Sequence, residues 1–319
     1  MIPTPYTPPF PMANGHIQSI YPSLFRRVDD LVYTRERMET SDGDFLDLDW
    51  ARTRGSSSRL VIISHGLEGC THRAYVKGMA RAFTQEGWDA LAWNQRGCSG
   101  EPNRLLRMYH NGVTDDLDRV ITHGAATGRY KEIALVGFSM GGNLTLLHLG
   151  RDKVHPLVKG AVVFSVPCDL SASARALSRK TNAIYMKRFL RMLHEKVKAK
   201  ALLFPHAVDA RGYGEIRDFK AFDDRYTAPI HGFENAEDYW EQCASAPHLK
   251  DIPLPCLMVN ALNDPFLEPE CYPHEAARAN PNLTLVTPKS GGHVGFIQFN
   301  RQNRYWSEQV AVDFLGTKR

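Results

Sequence analysis

Long apolar runs are missing from this sequence. No stretch of about 18 hydrophobic residues occurs in it, and a helix that crosses a bilayer needs roughly that many. A membrane span is therefore not expected. The first residues, MIPTPYTPPFPM, have neither the basic head nor the apolar centre of a secretory signal. Charge of one sign is also scarce. The 39 Lys and Arg are dispersed among 35 Asp and Glu, for a net charge of +4, which gives no basic stripe and argues against a nucleic-acid partner. Cysteines number only 6, far apart and without a C-x-x-C pair. A disulfide framework is excluded, and reduced thiols in the cytoplasm are expected. Disorder is excluded too, because 43% hydrophobic and 10% aromatic residues in 319 can bury a large core.

What is present is a rhythm. LVYTRERMET and DFLDLDWAR flank the turn signal SDGD and read as an antiparallel hairpin. RLVIISHG, DALAWNQRG, EIALVGFS, KGAVVFSVP, PCLMVNALND and LTLVTP follow as short apolar runs, the pattern of strands buried on both faces. Helical stretches such as AYVKGMARAFTQEG, TDDLDRVITHGAAT, GGNLTLLHLGRD and RQNRYWSEQVAVDFL alternate with them. The fold class is α/β, a mostly parallel central sheet with helices on both faces. NGHIQSIYPSLFRRV reads as a short helix in a Pro-rich arm over residues 1–25. Residues 1–168 and 250–319 form the expected core. Residues 169–249 have no convincing core strand and form an expected helical cap, since so long an insertion is not a bare loop. In it, Met186, Phe189, Leu190, Leu193 and Val197 share one helical face.

One stretch carries chemistry. ALVGFSMGGN places Ser139 in a Gly-x-Ser-x-Gly frame between a strand and a helix, the context of a nucleophile elbow. A serine hydroxyl needs a base, and His293 lies in the glycine-rich PKSGGHVGF after the last apolar run. The imidazole needs a carboxylate. Asp264 in LMVNALNDPF supplies it just past a strand, with Glu268 and Glu270 as rivals. The developing oxyanion needs two backbone donors. The N–H groups of Met140 and of Leu67, in IISHGLEGC, are the candidates, with His65 bonding within its loop.

Taken together, HGLEG, NQRGCSGEPNR, GFSMGGN, NALNDPF, GGHVGF and the opening ANGHIQSIYP resemble the YheT-type branch of the α/β-hydrolase family, related to the ABHD ester and lipid hydrolases. The resemblance covers nearly the whole chain. It implies a sheet of about eight strands, a helical cap, the triad Ser139, Asp264 and His293, and carboxylic-ester substrates.

Other features are set aside. Cys98 and Ser99 in NQRGCSG lie outside a nucleophile frame, and Arg96 there is read as structural. GYGEIR lacks the third glycine of a dinucleotide fingerprint, and HEKVK lacks the second histidine of a zinc helix. No cofactor or metal is implied. The basic, amphipathic YMKRFLRMLHEKVKAK has two readings, a cap helix packed on the fold and a surface for anionic membrane or lipid; the first is preferred. The expected activity is ester hydrolysis on a small-molecule substrate through an acyl-enzyme. Alternatives are an alcohol acyltransferase, a cofactor-free haloperoxidase or C–C hydrolase on the same elbow, and a non-catalytic binding protein.

Overall fold

The apolar runs assemble into one eight-stranded sheet in the computed structural model, which describes residues 4–316. The strands are β1 (Thr34–Glu39), β2 (Phe45–Ala51), β3 (Arg59–Ser64), β4 (Asp89–Asn94), β5 (Glu132–Phe138), β6 (Val158–Phe164), β7 (Cys256–Val259) and β8 (Leu283–Val286). Their spatial order is β1-β2-β4-β3-β5-β6-β7-β8. β2 pairs antiparallel with β1 and β4, and every other pairing is parallel. The helices are α1 (Gly15–Phe25), α2 (Ala74–Gln85), α3 (Thr114–Ala126), α4 (Met140–Arg151), α5 (Leu170–Leu177), α6 (Ala183–Leu203), α7 (Phe219–Phe222), α8 (Ala228–His231), α9 (Ala236–Cys243), α10 (His274–Ala279) and α11 (Trp306–Gly316). α11 begins later than its apolar pattern suggests, where Glu308 accepts the N–H of Tyr305 at 3.0 Å.

Why the runs are unbroken is plain from the two faces. Successive side chains of a strand point to opposite sides. Leu60 and Ile62 of β3 join a core with Leu117 and Ile121 of α3 and Leu144 of α4. Val61 and Ile63 join a second core with Met79 and Phe83 of α2 and Val310 of α11. Both faces are covered, so neither set can be polar.

Between β6 and β7 the chain is helical, with no strand among the described residues, and it builds a hydrophobic cluster of its own. Met186, Leu190, Leu193 and Val197 of α6 are buried in that cluster, while Phe189 is half-buried. The apolar face of α6 is thus spent within the protein. A π-helical turn, Asp223–Thr227, separates α7 from α8.

Candidate active site

Sheet register sets the site. Ser64, the last residue of β3, lies opposite Gly137 of β5, so the loop opening at His65 runs beside the turn after β5. β7 and β8 end together, Val259 opposite Val286, and the loops that follow carry Asp264 and His293 to the same edge.

Ser139 sits in that first turn with φ 52° and ψ −120°, a backbone region that a non-glycine residue occupies only when its surroundings impose it. The glycines around it are required by contact. A Cβ on Gly137 would lie 2.4 Å from the carbonyl oxygen of Gly141, and one on Gly141 would lie 2.4 Å from that of Ser64. No side chain fits there.

The structure brings three of the predicted residues into one chain of hydrogen bonds. Ser139 Oγ is 2.9 Å from His293 Nε2, and His293 Nδ1 is 2.9 and 3.1 Å from the two carboxylate oxygens of Asp264. An ionised carboxylate only accepts, so Nδ1 carries the proton and Nε2 is left to accept from the serine hydroxyl. Asp264 is buried and also accepts the N–H of Phe266 at 2.9 Å. The Phe266 ring packs on the imidazole at 4.1 Å between centroids. The rival acids are elsewhere, Glu268 pairing with Arg179 and Glu270 with Arg175.

Met140 opens α4, and Leu67 follows His65-Gly66. Neither backbone N–H has an acceptor among the described residues. His65 is fully buried. Its Nδ1 lies 2.8 Å from the carbonyl of Gly66, and its Nε2 accepts the N–H of Gln95 at 3.2 Å. Burial pushes its pKa down to about 4, so it is neutral and holds the loop. Burial likewise pushes the Cys98 thiol up to about 11, too high for a nucleophile. Arg96 is enclosed by Asp116, Asp44 and Asp42 at 2.8 to 2.9 Å.

Sequence reasoning missed the residues that hold this arrangement. Ser19 Oγ on α1 accepts the N–H of His293 at 2.8 Å, and Ser165 Oγ accepts that of Val294 at 2.9 Å. Glu68 follows Leu67 with φ 52°. Its buried carboxylate accepts from the Tyr109 hydroxyl at 2.5 Å and meets Lys196 Nζ of α6 at 3.2 Å. Glu68, Ser139, Ser165 and Val294 make up four of the six non-glycine residues with positive φ among those described, and all four border the site. In the sequence these residues lie in stretches that carry the resemblance, Ser19 in ANGHIQSIYP, Glu68 in HGLEG and Val294 in GGHVGF, but Ser165 does not, and no local pattern showed their roles.

Two cavities meet at Ser139, and Leu67, Phe189, Phe266 and His293 line both. The first, about 110 Å³, runs under the helical insertion between Leu170, Leu177, Leu193, Phe219 and Phe222. The second, about 190 Å³, opens between α1, α2 and α6 past Ser19, Arg73, Tyr185 and Arg188.

The family described as serine aminopeptidase, S33, matches residues 55–282. The chain belongs to that α/β-hydrolase family. It is 33% identical to the putative esterase YheT of Escherichia coli, over 96% of this chain and 91% of the relative. It is 29% identical to human phospholipase ABHD3 over 86% of this chain and 69% of that one. This places it in the YheT-type branch related to the ABHD proteins. Among solved structures, the Pyrococcus furiosus esterase Pf2001 aligns with a TM-score of 0.59 at 17% identity, covering 90% of each chain. Est1E of Butyrivibrio proteoclasticus, with ferulic acid bound, aligns at 0.54 and 14% identity, over 90% of this chain and 100% of that one. At such identities the structural likeness concerns the fold. Among the described residues no helix is long and apolar enough to cross a membrane.

Proposed function

We propose that the protein hydrolyses carboxylic esters through a covalent acyl-enzyme on Ser139, with His293 as base and acid and Asp264 as its partner. The observation that carries this reading is the unbroken hydrogen-bond chain from the Ser139 hydroxyl through His293 to buried Asp264, at the junction of two cavities. Relatives named esterase, phospholipase and monoacylglycerol lipase support it.

His293 Nε2 takes the hydroxyl proton as Ser139 Oγ attacks the ester carbonyl. The oxyanion is held by the N–H groups of Leu67 and Met140, at the positive end of α4. Asp264 stabilises the imidazolium. Collapse breaks the bond to the alcohol, which takes the proton from His293 and leaves. Water then gives its proton to His293, attacks the acyl carbon, and releases the carboxylic acid with Ser139 restored. The helical insertion, residues 169–249, acts as the cap that roofs the apolar cavity. Six free cysteines fit work in the reducing cytoplasm.

An aminopeptidase reading is disfavoured by charge. It would have to hold a substrate ammonium, and the open cavity presents Arg73 and Arg188. Its one lining carboxylate, Glu68, is already occupied by Lys196 and Tyr109.

Labelling with a fluorophosphonate, mapped by mass spectrometry on the native protein and on Ser139→Ala, tests the reading. A single adduct on Ser139, absent from the variant, is expected. An unlabelled native protein would sink it.

A further inference from the structure

The two arms of the cleft are chemically unlike. The inner arm is apolar, while the outer arm carries Arg73, just ahead of α2, and Arg188 on α6. The side chain of Arg188 has no hydrogen bond or ion pair among the described residues. The Arg73 side chain makes a single hydrogen bond, donating to the carbonyl of Glu68 at 3.2 Å, so its charge is not neutralised. Arg191, three positions further along the same helix, also lacks an acidic partner among the described residues and adds to the field felt by Arg188. The carboxylate of Glu68 offers the arm no counter-charge, because it is turned into the buried cluster with Lys196 and Tyr109. Unpaired cations brought together in a half-enclosed cleft repel one another, and an anion that enters removes that cost. Guanidinium groups also match the geometry of a phosphate or carboxylate with paired N–H donors.

We propose that the outer arm is a subsite for an anionic oxyacid group, phosphate or carboxylate, on the alcohol portion of the ester. The proposal rests on the esterase reading above. The acyl chain occupies the apolar arm, the carbonyl lies at Ser139, and the charged alcohol lies against Arg188 and Arg73. His293 borders both arms and returns its proton to the leaving oxygen between them. Hydrolysis then yields a carboxylic acid and an anionic alcohol.

The test compares kcat/KM for three butyryl esters, of glycerol 3-phosphate, of glyceric acid and of glycerol, at low and high salt. Either charged ester is expected to be preferred over the neutral one by about tenfold, the scale of one charge-assisted hydrogen bond. Whichever leads identifies the group as phosphate or carboxylate. The preference should shrink as salt screens the arginines. Arg188→Gln should cut the charged-to-neutral ratio about tenfold, and Arg188→Lys should restore part of it. Fluorophosphonate labelling of Ser139 is followed in each variant, so that loss of fold is seen separately. Equal use of charged and neutral esters by a protein that labels normally would overturn the subsite and leave the esterase standing. A ratio unmoved by Arg188→Gln would do the same. Absence of both labelling and turnover would overturn the esterase reading and this proposal together.

Discussion

At the scale of single residues, the candidate triad makes a sharp demand on Asp264. Its carboxylate fixes the proton of His293 on Nδ1. Asp264→Asn keeps the shape and presents an amide N–H to a nitrogen that must itself donate, so the imidazole turns to the wrong tautomer. We expect kcat to fall by about 10³ to 10⁴ with little change in KM, measured on any neutral ester the protein turns over. In the proposed mechanism Glu68 acts through the neighbouring Leu67, as a positioning residue. Its positive φ of 52° is clamped by Tyr109 and Lys196. Glu68→Gln removes the anion that Lys196 meets and loosens the loop. Losing an oxyanion donor outright costs about 10² to 10³ in kcat. Misaligning one should cost less, and we expect kcat about tenfold lower at nearly constant KM. A rise in KM alone would mean that Glu68 only shapes the cavity.

At the scale of elements, Arg96 ties together pieces that share no sheet pairing. It bonds Asp42 and Asp44 from the turn between β1 and β2, and Asp116 from the first turn of α3. Removing it strands buried carboxylates without a counter-ion. Arg96→Met should destabilise the protein by about 3–5 kcal/mol, read as a shift of the urea midpoint at constant slope. Such ties explain what sequence did and did not reveal. The strands were legible because both faces of the sheet are covered, so alternation gave way to unbroken apolar runs. The tight strand-to-helix turn at Ser139 was legible because the crowding of Gly137 and Gly141 against backbone oxygens admits no other residue. The helical character of 169–249 was legible from the 3.6-residue period of α6. The partners of that helix were not. Lys196 reaches Glu68, and Arg188 stands beside Arg73, across long sequence separations on different elements. Nothing local in a sequence encodes a contact made only when distant elements close over one another. Ser19 and Ser165, which accept backbone N–H groups around His293, escaped for the same reason.

At the scale of the whole molecule, the apolar arm contains a carboxyl that should govern how stability follows pH. Asp223 opens the π-helical turn and lines the inner cavity. Burial raises its pKa from 3.8 to about 7, although Thr227 Oγ1 at 2.6 Å and Trp240 Nε1 at 2.8 Å both donate to it. The folded protein therefore holds a proton between roughly pH 4 and pH 7 that the unfolded chain releases. Stability from this group is fully present below the unfolded pKa and is lost as pH rises through the folded one. Asp223→Asn stays neutral throughout and removes that dependence. At pH 5 the amide replaces a carboxyl that is protonated in the folded protein, but the native unfolded chain is already ionised, so part of the native protein's advantage is already lost there. At pH 8 the native protein carries a buried anion and the variant does not. The difference between them should swing in favour of the variant by on the order of 3 kcal/mol from pH 5 to pH 8. Urea midpoints of both proteins at the two pH values measure it, and all other titrations cancel in the difference. An absent swing would mean that Thr227 and Trp240 suffice to keep Asp223 ionised, and that the inner arm meets its substrate with a charge in its wall.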